Sequence, residues 1–338
     1  MPITIADVAR RAGTSTATVS HVLNSIGRIR QETRRRVMAA VKELKYYPNF
    51  HARNLARHRS RTMGIIVSDI ENPFFPTVIR AFETEAHKHG YDVVVSDTNY
   101  QPRQTRRAAE RMMETKVLGV AIMTSEMSPA LIDEILAQNI FVTFFDFGMV
   151  GEATSNLKLD YLLGIREAID HLYNYGHRRI AFVGGRSNLR NVKARQVAYV
   201  ACMLHHGLDP GPIVIGNQRI DGGITAGESL LKMTPRPTAV VAMNDLTAIG
   251  VMRAFRQAGL HVPDDLSVVG FDHTYLAEFY QPSLTSVDMQ PAYLGRIAAG
   301  SLLELAAADK PQGRNYIVPL RLVVGESTGP VPPAATES

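Results

Sequence analysis

The chain has 338 residues, 45% hydrophobic and 20% charged, with one cysteine, Cys202, and a formal net charge of +5. A lone cysteine excludes an intramolecular disulfide framework, no run of 18 apolar residues offers a membrane span, and Met1-Pro2-Ile3-Thr4 is not a signal peptide, so a cytoplasmic protein of two to three domains is expected. The charge is unevenly placed: residues 1–61 carry 13 Lys/Arg against Asp7, Glu32 and Glu43, a net +10, while the rest of the chain is net −5. A basic block of this size suits phosphate neutralisation and counterion release, although charge alone is equally consistent with a solvated face.

Thr4 and Asp7 predict a capping box that opens a first helix, with Ile5, Val8, Ala9 and Ala12 on one face and Gly13 as its stop. Ser15 is the expected N-cap of a second helix, whose apolar stripe is Val19, Val22 and Leu23. Asn24-Ser25-Ile26-Gly27 breaks the pattern, and a third helix is expected from about Gln31 to Lys45, burying Val37, Ala40, Val41 and Leu44. The short, glycine-containing link between the first two helices is what a helix-turn-helix requires. In that motif the start of the second helix enters the major groove, so Thr16, Ala17, Ser20 and His21 face the bases. Small hydroxyl and methyl groups there touch base edges and thymine methyls.

The stretch Thr4-Ile5-Ala6-Asp7-Val8-Ala9-Arg10-Arg11-Ala12-Gly13-Thr14-Ser15-Thr16-Ala17-Thr18-Val19-Ser20-His21-Val22-Leu23-Asn24 resembles the headpiece of the lactose/galactose repressor family, as does Glu43-Leu44-Lys45-Tyr46-Tyr47-Pro48-Asn49. The resemblance implies a helix-turn-helix headpiece over residues 1–47 and a hinge over 48–60 that folds on the operator. It carries the DNA-contacting role onto Thr4, Ser15, Thr16, Ala17, Thr18, Ser20, His21, Asn24, Arg53 and Leu55. Leu55 would be the apolar wedge of the minor groove, a type of contact that unstacks a base step and bends DNA. Two positions depart from many relatives: His21 stands where arginine is common, and Arg30 occupies the usual small N-cap of the third helix.

Beyond Arg61 the pattern becomes βαβα. Strands are expected at Met63–Ser68, Tyr91–Ser96, Val117–Thr124 and Phe141–Phe145, then at Ile180–Gly184, Ile213–Gly216, Ala239–Ala242 and Ser267–Phe271. Helices fall near 76–89, 103–115, 129–138, 162–175, 193–206, 223–233 and 245–258. The rhythm calls for parallel sheets covered on both faces, in two α/β units with a ligand cleft between them. Ligands of doubly wound sheets bind beyond the carboxyl ends of the strands. The polar residues there are Asp69, Asn72, Asp97, Thr124, Asp146, Arg190, Asn191, Arg195, Asn244, Asp245 and Asp272, with Phe74 and Phe75 as an aromatic wall. Carboxylates, amides and arginines beside aromatic surface suit a polyhydroxylated ligand, because each hydroxyl both donates and accepts. Capping or strand-end solvation explains any one of them equally well, Asp245 above all.

The same family resemblance runs over residues 3–325, through Asn72-Pro73-Phe74-Phe75, Gly176-His177-Arg178-Arg179-Ile180-Ala181, Asn244-Asp245 and Val269-Gly270-Phe271-Asp272. It implies an α/β, two-lobed domain over 61–328, similar to periplasmic sugar-binding proteins and built from two doubly wound parallel sheets. Crossings are expected near 160, 289 and 320, giving an N-lobe of about 61–160 plus 290–320 and a C-lobe of about 161–289 plus 321–328. Residues 329–338 are expected to be a disordered tail. The effector contacts the resemblance carries over are Phe74, Asp146, Asp160, Arg195, Asn244 and Asp272, with Asn72, Phe75, Arg190 and Asn191 beside them. Asn244 tilts the effector towards a sugar or sugar derivative, Arg190 and Asn191 leave an acidic or phosphorylated sugar open, and a purine or other metabolite is the alternative. Tyr161, where sugar-responsive relatives often carry asparagine, implies a pocket of different shape.

An enzyme reading has little to stand on. The first strand runs into Ser68-Asp69-Ile70-Glu71-Asn72-Pro73 without GxGxxG, Gly184-Gly185-Arg186 fits neither a phosphate loop nor a nucleophile elbow, and the histidines lack metal-ligand spacing. No cofactor is expected, and Cys202 reads as core. A sensor that has lost DNA binding is disfavoured by the intact headpiece. The expected partners are double-stranded operator DNA, a small-molecule effector and a second copy of the chain.

Overall fold

A computed structural model describes residues 3–23, 27–46, 60–124, 126–146, 148–185 and 189–332. The expectations for Asn24, Arg53 and Leu55, and for residues 333–338, fall outside the described residues. The chain divides into two compact units, Met1–Ser60 and Arg61–Ser338.

The first unit holds α1 (Ile5–Ala12), α2 (Thr16–Leu23) and α3 (Gln31–Glu43). The Thr4/Asp7 capping box opens α1, and Gly13 closes it at φ 60°, a left-handed conformation that costs glycine no Cβ clash. Ser15 Oγ accepts from the Thr18 N–H at 3.1 Å, so Ser15 caps the start of α2 as expected. Val8, Ala9, Ala12, Val19, Val22, Val37 and Ala40 close the core, with Ile5, Leu23, Val41 and Leu44 packed at its edge. Arg30 precedes α3 without a side-chain cap.

The second unit contains two six-stranded sheets. The N-lobe sheet has the order β11-β5-β4-β3-β1-β2, from β1 (Thr62–Val67), β2 (Asp92–Asp97), β3 (Gly119–Met123), β4 (Phe141–Phe145), β5 (Thr154–Leu159) and β11 (Asn315–Val318), and every pairing in it is parallel. The C-lobe sheet has the order β12-β10-β9-β8-β6-β7, from β6 (Ile180–Gly184), β7 (Ile213–Ile215), β8 (Ala239–Ala242), β9 (Ser267–Asp272), β10 (Thr285–Asp288) and β12 (Arg321–Val323). Only β12 runs antiparallel to its neighbour there. The helices α4 (Phe74–Lys88), α5 (Pro102–Thr115), α6 (Pro129–Ala137), α7 (Tyr161–Asn174), α8 (Arg190–His205), α9 (Ile220–Leu231), α10 (Asp245–Gln257), α11 (Tyr275–Phe279) and α12 (Pro291–Ala307) complete the layers. Strands buried on both faces read as unbroken apolar runs, as Thr62–Val67 and Ile180–Gly184 do.

The chain passes between the sheets after β5, after β10 and after β11. Sequence periodicity did not predict β5, β10, β11, β12, α11 or α12. β5 is Thr-Ser-Asn-Leu-Lys-Leu, and its buried Asn156 is satisfied by donating to Asn315 Oδ1 on β11 at 3.1 Å, so a polar strand sits inside a sheet. In the C-lobe α9 and α10 touch backbone to backbone, since a Cβ on Gly250 would lie 2.2 Å from the Ile220 carbonyl oxygen.

Residues 329–332, expected to belong to a disordered tail, are described, and Gly329 and Val331 are bonded to the C-lobe. Gly329 N–H donates to Ser267 Oγ at 3.0 Å, and its carbonyl oxygen lies 3.0 Å from Nε2 of the fully buried His177. Val331 N–H donates to the Tyr175 carbonyl at 2.9 Å. Backbone bonding to the C-lobe outweighs the disorder that composition suggests.

Candidate functional site

The carboxyl ends of strands from both sheets face one cavity of about 700 Å3, part of it open to solvent. Nine of the ten residues expected to contact an effector line it: Asn72, Phe74, Phe75, Asp146, Arg190, Asn191, Arg195, Asn244 and Asp272. Asp160 does not line it; its Oδ1 accepts from the Leu163 N–H at 3.0 Å and caps α7. Thr124 lines the cavity, whereas Asp69 and Asp97 do not.

Arg195, on α8 and 4% exposed, organises the centre. Its Nη1 donates to the Met243 carbonyl at 2.5 Å, its Nη2 lies 3.8 Å from Asp272 Oδ1, and its guanidinium stacks 4.0 Å from the Phe271 ring centroid. Its Nε has no hydrogen-bond partner among the described residues. Asp272 closes β9 at φ 103°, and Asn72 Nδ2 donates to its Oδ2 at 3.2 Å, which joins the lobes. Burial raises the Asp272 carboxyl to about 7, against the pull of Arg195 and with a further push from Asp245. Asp146, at φ 67°, accepts from the Leu159 N–H at 2.6 Å and from the Tyr161 hydroxyl at 2.5 Å. Burial carries it to about 6, and those two donors oppose the rise. Non-glycine residues held at positive φ store backbone strain, and such strain gathers at binding sites.

Asn244 is engaged at both ends of its amide. Its Oδ1 accepts from the Thr247 N–H at 2.9 Å, capping α10, and its Nδ2 donates to the Gln218 carbonyl at 2.9 Å. Asp245 does not cap that helix. It is 1% exposed and accepts from Thr274 N–H at 2.6 Å, Thr274 Oγ1 at 2.9 Å and Ser286 Oγ at 2.5 Å, fixing the loop that follows Asp272. Burial, opposed by these bonds, raises Asp245 to about 6.

Sequence reasoning missed several lining residues, among them Tyr100, Gln218, Met243 and Met289. Gln218 is 4% exposed, stands at φ 70°, and its Oε1 has no partner among the described residues. It lies one residue beyond Asn217 in the loop after β7, so searching every loop beyond a strand's carboxyl end would have found it. Met289 follows β10, a strand the periodicity did not show. Next to Gln218, Arg219 spans the cleft: its Nη2 lies 3.0 Å from Asp69 Oδ2 and donates to Asn99 Oδ1 at 3.2 Å, and its Nη1 pairs with Glu71.

In the first unit Thr16, Ala17 and His21 are exposed along α2, Ser20 is half-buried, and Arg34, Arg35 and Arg36 are exposed on α3. Thr4, Ser15 and Thr18 are occupied in helix starts: Thr4 Oγ1 donates to Asp7 Oδ2 at 2.6 Å, and Ser15 Oγ lies 2.9 Å from Thr18 Oγ1.

Residues 4–49 match the family described as bacterial regulatory proteins, lacI family, and residues 169–328 match a periplasmic binding protein-like domain. The HTH-type transcriptional repressor CytR of Escherichia coli (strain K12) is 33% identical over 333 residues, 97% of this chain and 97% of that protein. The chain belongs to the lacI family of bacterial regulatory proteins. The HTH-type transcriptional repressor PurR of Photobacterium profundum is 30% identical to this lacI-family regulator over 96% of the chain and 98% of that protein. The structure of the lac repressor dimer bound to operator and the anti-inducer ONPF superposes with a TM-score of 0.85 at 28% identity, covering 97% of this chain and all of that one. The complex of the transcriptional regulator CelR with cellobiose gives 0.72 at 27% identity, covering 96% and 99%. These relatives are transcriptional repressors and regulators, so the lacI-family chain is a regulator and not an enzyme. Among the described residues no helix is long and apolar enough to cross a membrane.

Proposed function

We propose that this lacI-family regulator is a cytoplasmic repressor that binds a palindromic operator as a homodimer and changes its DNA affinity when a sugar or sugar derivative occupies the cavity. The observation that carries the reading is the enclosure of Arg195, Asp272, Asn72 and Asp146 in one cleft built from both lobes. Two carboxylates, a guanidinium and amides beside Phe74 and Phe75 match the alternating donors and acceptors of a polyol against an aromatic wall.

Each headpiece would read a half-site through Thr16, Ala17, Ser20 and His21, with Thr4, Ser15, Thr18 and Asn24 at its edge and basic side chains on the phosphates. Arg53 and Leu55 would act in the minor groove. A ligand bridging Asn72 and Asp146 on one lobe to Arg195 and Asp272 on the other favours the closed cleft, which moves the two hinges of the dimer. Effector and operator must then alter each other's affinity by the same factor.

A thermal-shift screen of neutral sugars, sugar acids, sugar phosphates and purines, followed by operator binding with each hit, tests the reading. A sugar-class hit that shifts operator affinity supports it. A purine as the sole hit, or hits that leave operator affinity unchanged, would overturn it.

A further inference from the structure

We infer that Arg219 is an electrostatic latch across the mouth of the cleft, holding the two lobes together from outside the cavity and with no contribution from a ligand. The latch goes beyond the effector reading, since it does not depend on which molecule the cavity takes.

Arg219 stands in the turn before α9 and does not line the cavity. Its guanidinium reaches acceptors on two separate loops of the N-lobe. Nη2 lies 3.0 Å from Asp69 Oδ2 and donates to Asn99 Oδ1 at 3.2 Å, while Nη1 pairs with Glu71. Asp69 and Glu71 follow β1 and Asn99 follows β2, so one planar fork ties the C-lobe to the ends of two N-lobe strands. The charge has no use on its own lobe. Arg219 is the N-cap residue of α9 without a side-chain cap, and a cation at a helix start opposes the helix dipole. Among the described residues both of its ion-pair partners belong to the N-lobe.

Both halves of the latch are positioned by bonds that do not cross the cleft. On the C-lobe, Asn217 Oδ1 accepts from the Arg219 N–H at 3.0 Å, Asn217 Nδ2 donates to Asp221 Oδ2 at 3.0 Å, and Asn244 Nδ2 holds the Gln218 carbonyl at 2.9 Å. On the N-lobe, Asp69 Oδ1 accepts from the Glu71 N–H at 3.0 Å, and Asp97 Oδ1 accepts from the Ile70 N–H at 3.2 Å. Engagement therefore orders little that is not already ordered. The Asp69 side chain is 6% exposed, and a carboxylate so enclosed is costly without a cation beside it. Closure of the cleft then rests on two layers. The bond from Asn72 to Asp272 lies among the cavity-lining residues, where a ligand can replace it, whereas the Arg219 contacts lie outside and persist.

The test is small-angle scattering of the full-length protein without added ligand, for wild type, Arg219→Lys, Arg219→Ala and Arg219→Glu. Each is measured at about 0.01 M and about 1 M salt, where the Debye length is about 30 Å and about 3 Å. At low salt the radius of gyration should be close to wild type for the Lys variant, larger for Ala and largest for Glu. High salt should bring the four together by expanding the wild type. Arg219→Ala should lower the melting temperature by roughly 2–4 °C, which leaves the variant folded for the measurement. A radius indifferent to the charge at position 219, or a wild-type radius that salt does not change, overturns the latch. Binding at one salt concentration to a duplex selected by the wild type from random sequence separates the latch from the effector reading. If the radius and the duplex affinity both change in Arg219→Ala, lobe position and DNA binding are linked through the latch. If the radius changes and the affinity does not, the latch stands and the link between lobe closure and DNA falls.

Discussion

Arg219 reaches from the turn before α9 across the cleft and holds its Nη2 3.0 Å from the carboxylate of Asp69. Asp69 is 4% exposed, and burial raises its carboxyl above the usual range while Arg219 pulls it back. The pair stands beside Gln218, so a cavity-lining residue and an inter-lobe contact are neighbours in sequence. Arg219→Ala leaves the Asp69 carboxylate without its cation and frees the mouth of the cleft. The expected cost is about 1 kcal/mol, because Arg219 is over a third exposed and solvent screens the pair. Small-angle scattering of the unliganded protein should show a larger radius of gyration for the variant. An unchanged radius would show that this contact does not hold the lobes.

Asp245 acts on the cavity from behind it. Asp245→Ala strands the Thr274 N–H, the Thr274 hydroxyl and the Ser286 hydroxyl in a buried site, for a loss of about 2–4 kcal/mol. Denaturant titration measures that loss directly. Ligand affinity should fall as well, since the same loop carries Asp272.

Asp272 and Asp146 make stability pH-dependent in a definite direction. Their folded carboxyls stand at about 7 and about 6, above the roughly 3.9 of an unfolded aspartate, so the folded state binds more protons between those limits. Stability from these groups is therefore greatest below about pH 4 and declines as pH rises towards about 7. Melting temperatures of wild type and Asp272→Asn across that window check the sign: the substitution should flatten the decline, and equal slopes would refute this assignment.

The headpiece separates stability from recognition. Ser15→Ala should cost about 1 kcal/mol through loss of the α2 cap. Thr16→Ala and Ala17→Ser lie on the exposed side of α2 and should leave melting within about 0.5 kcal/mol while changing operator preference. Circular dichroism melts and competition binding with operator variants distinguish the two effects.

The headpiece was legible residue by residue because its signals are local. A capping box, a left-handed glycine and a 3.6-residue apolar stripe act within a few positions, and α1 and α2 formed where these cues placed them. The first strand of each lobe was legible for a related reason: parallel strands covered on both faces are continuous apolar runs. β5 and β10 were not, since their polar side chains are satisfied by partners far along the chain, as that of Asn156 is by Asn315 and that of Thr285 by Thr328. Asp160 also stands at a strand end, but there its Oδ1 caps α7 and the residue lies outside the cavity lining.

By itself the sequence determined a basic helix-turn-helix segment, the alternation of strand and helix behind it, and the residue types available at the strand ends. These follow from short-range sterics, capping and burial periodicity. Only the tertiary structure decided which polar groups are spent and which remain. Asn244 and Asp245 hold Gln218 and the β9 loop, while Gln218 Oε1 and Arg195 Nε have no hydrogen-bond partner among the described residues. Hydrogen-bond satisfaction in a buried cleft depends on neighbours brought together from distant parts of the chain, and no local pattern encodes it.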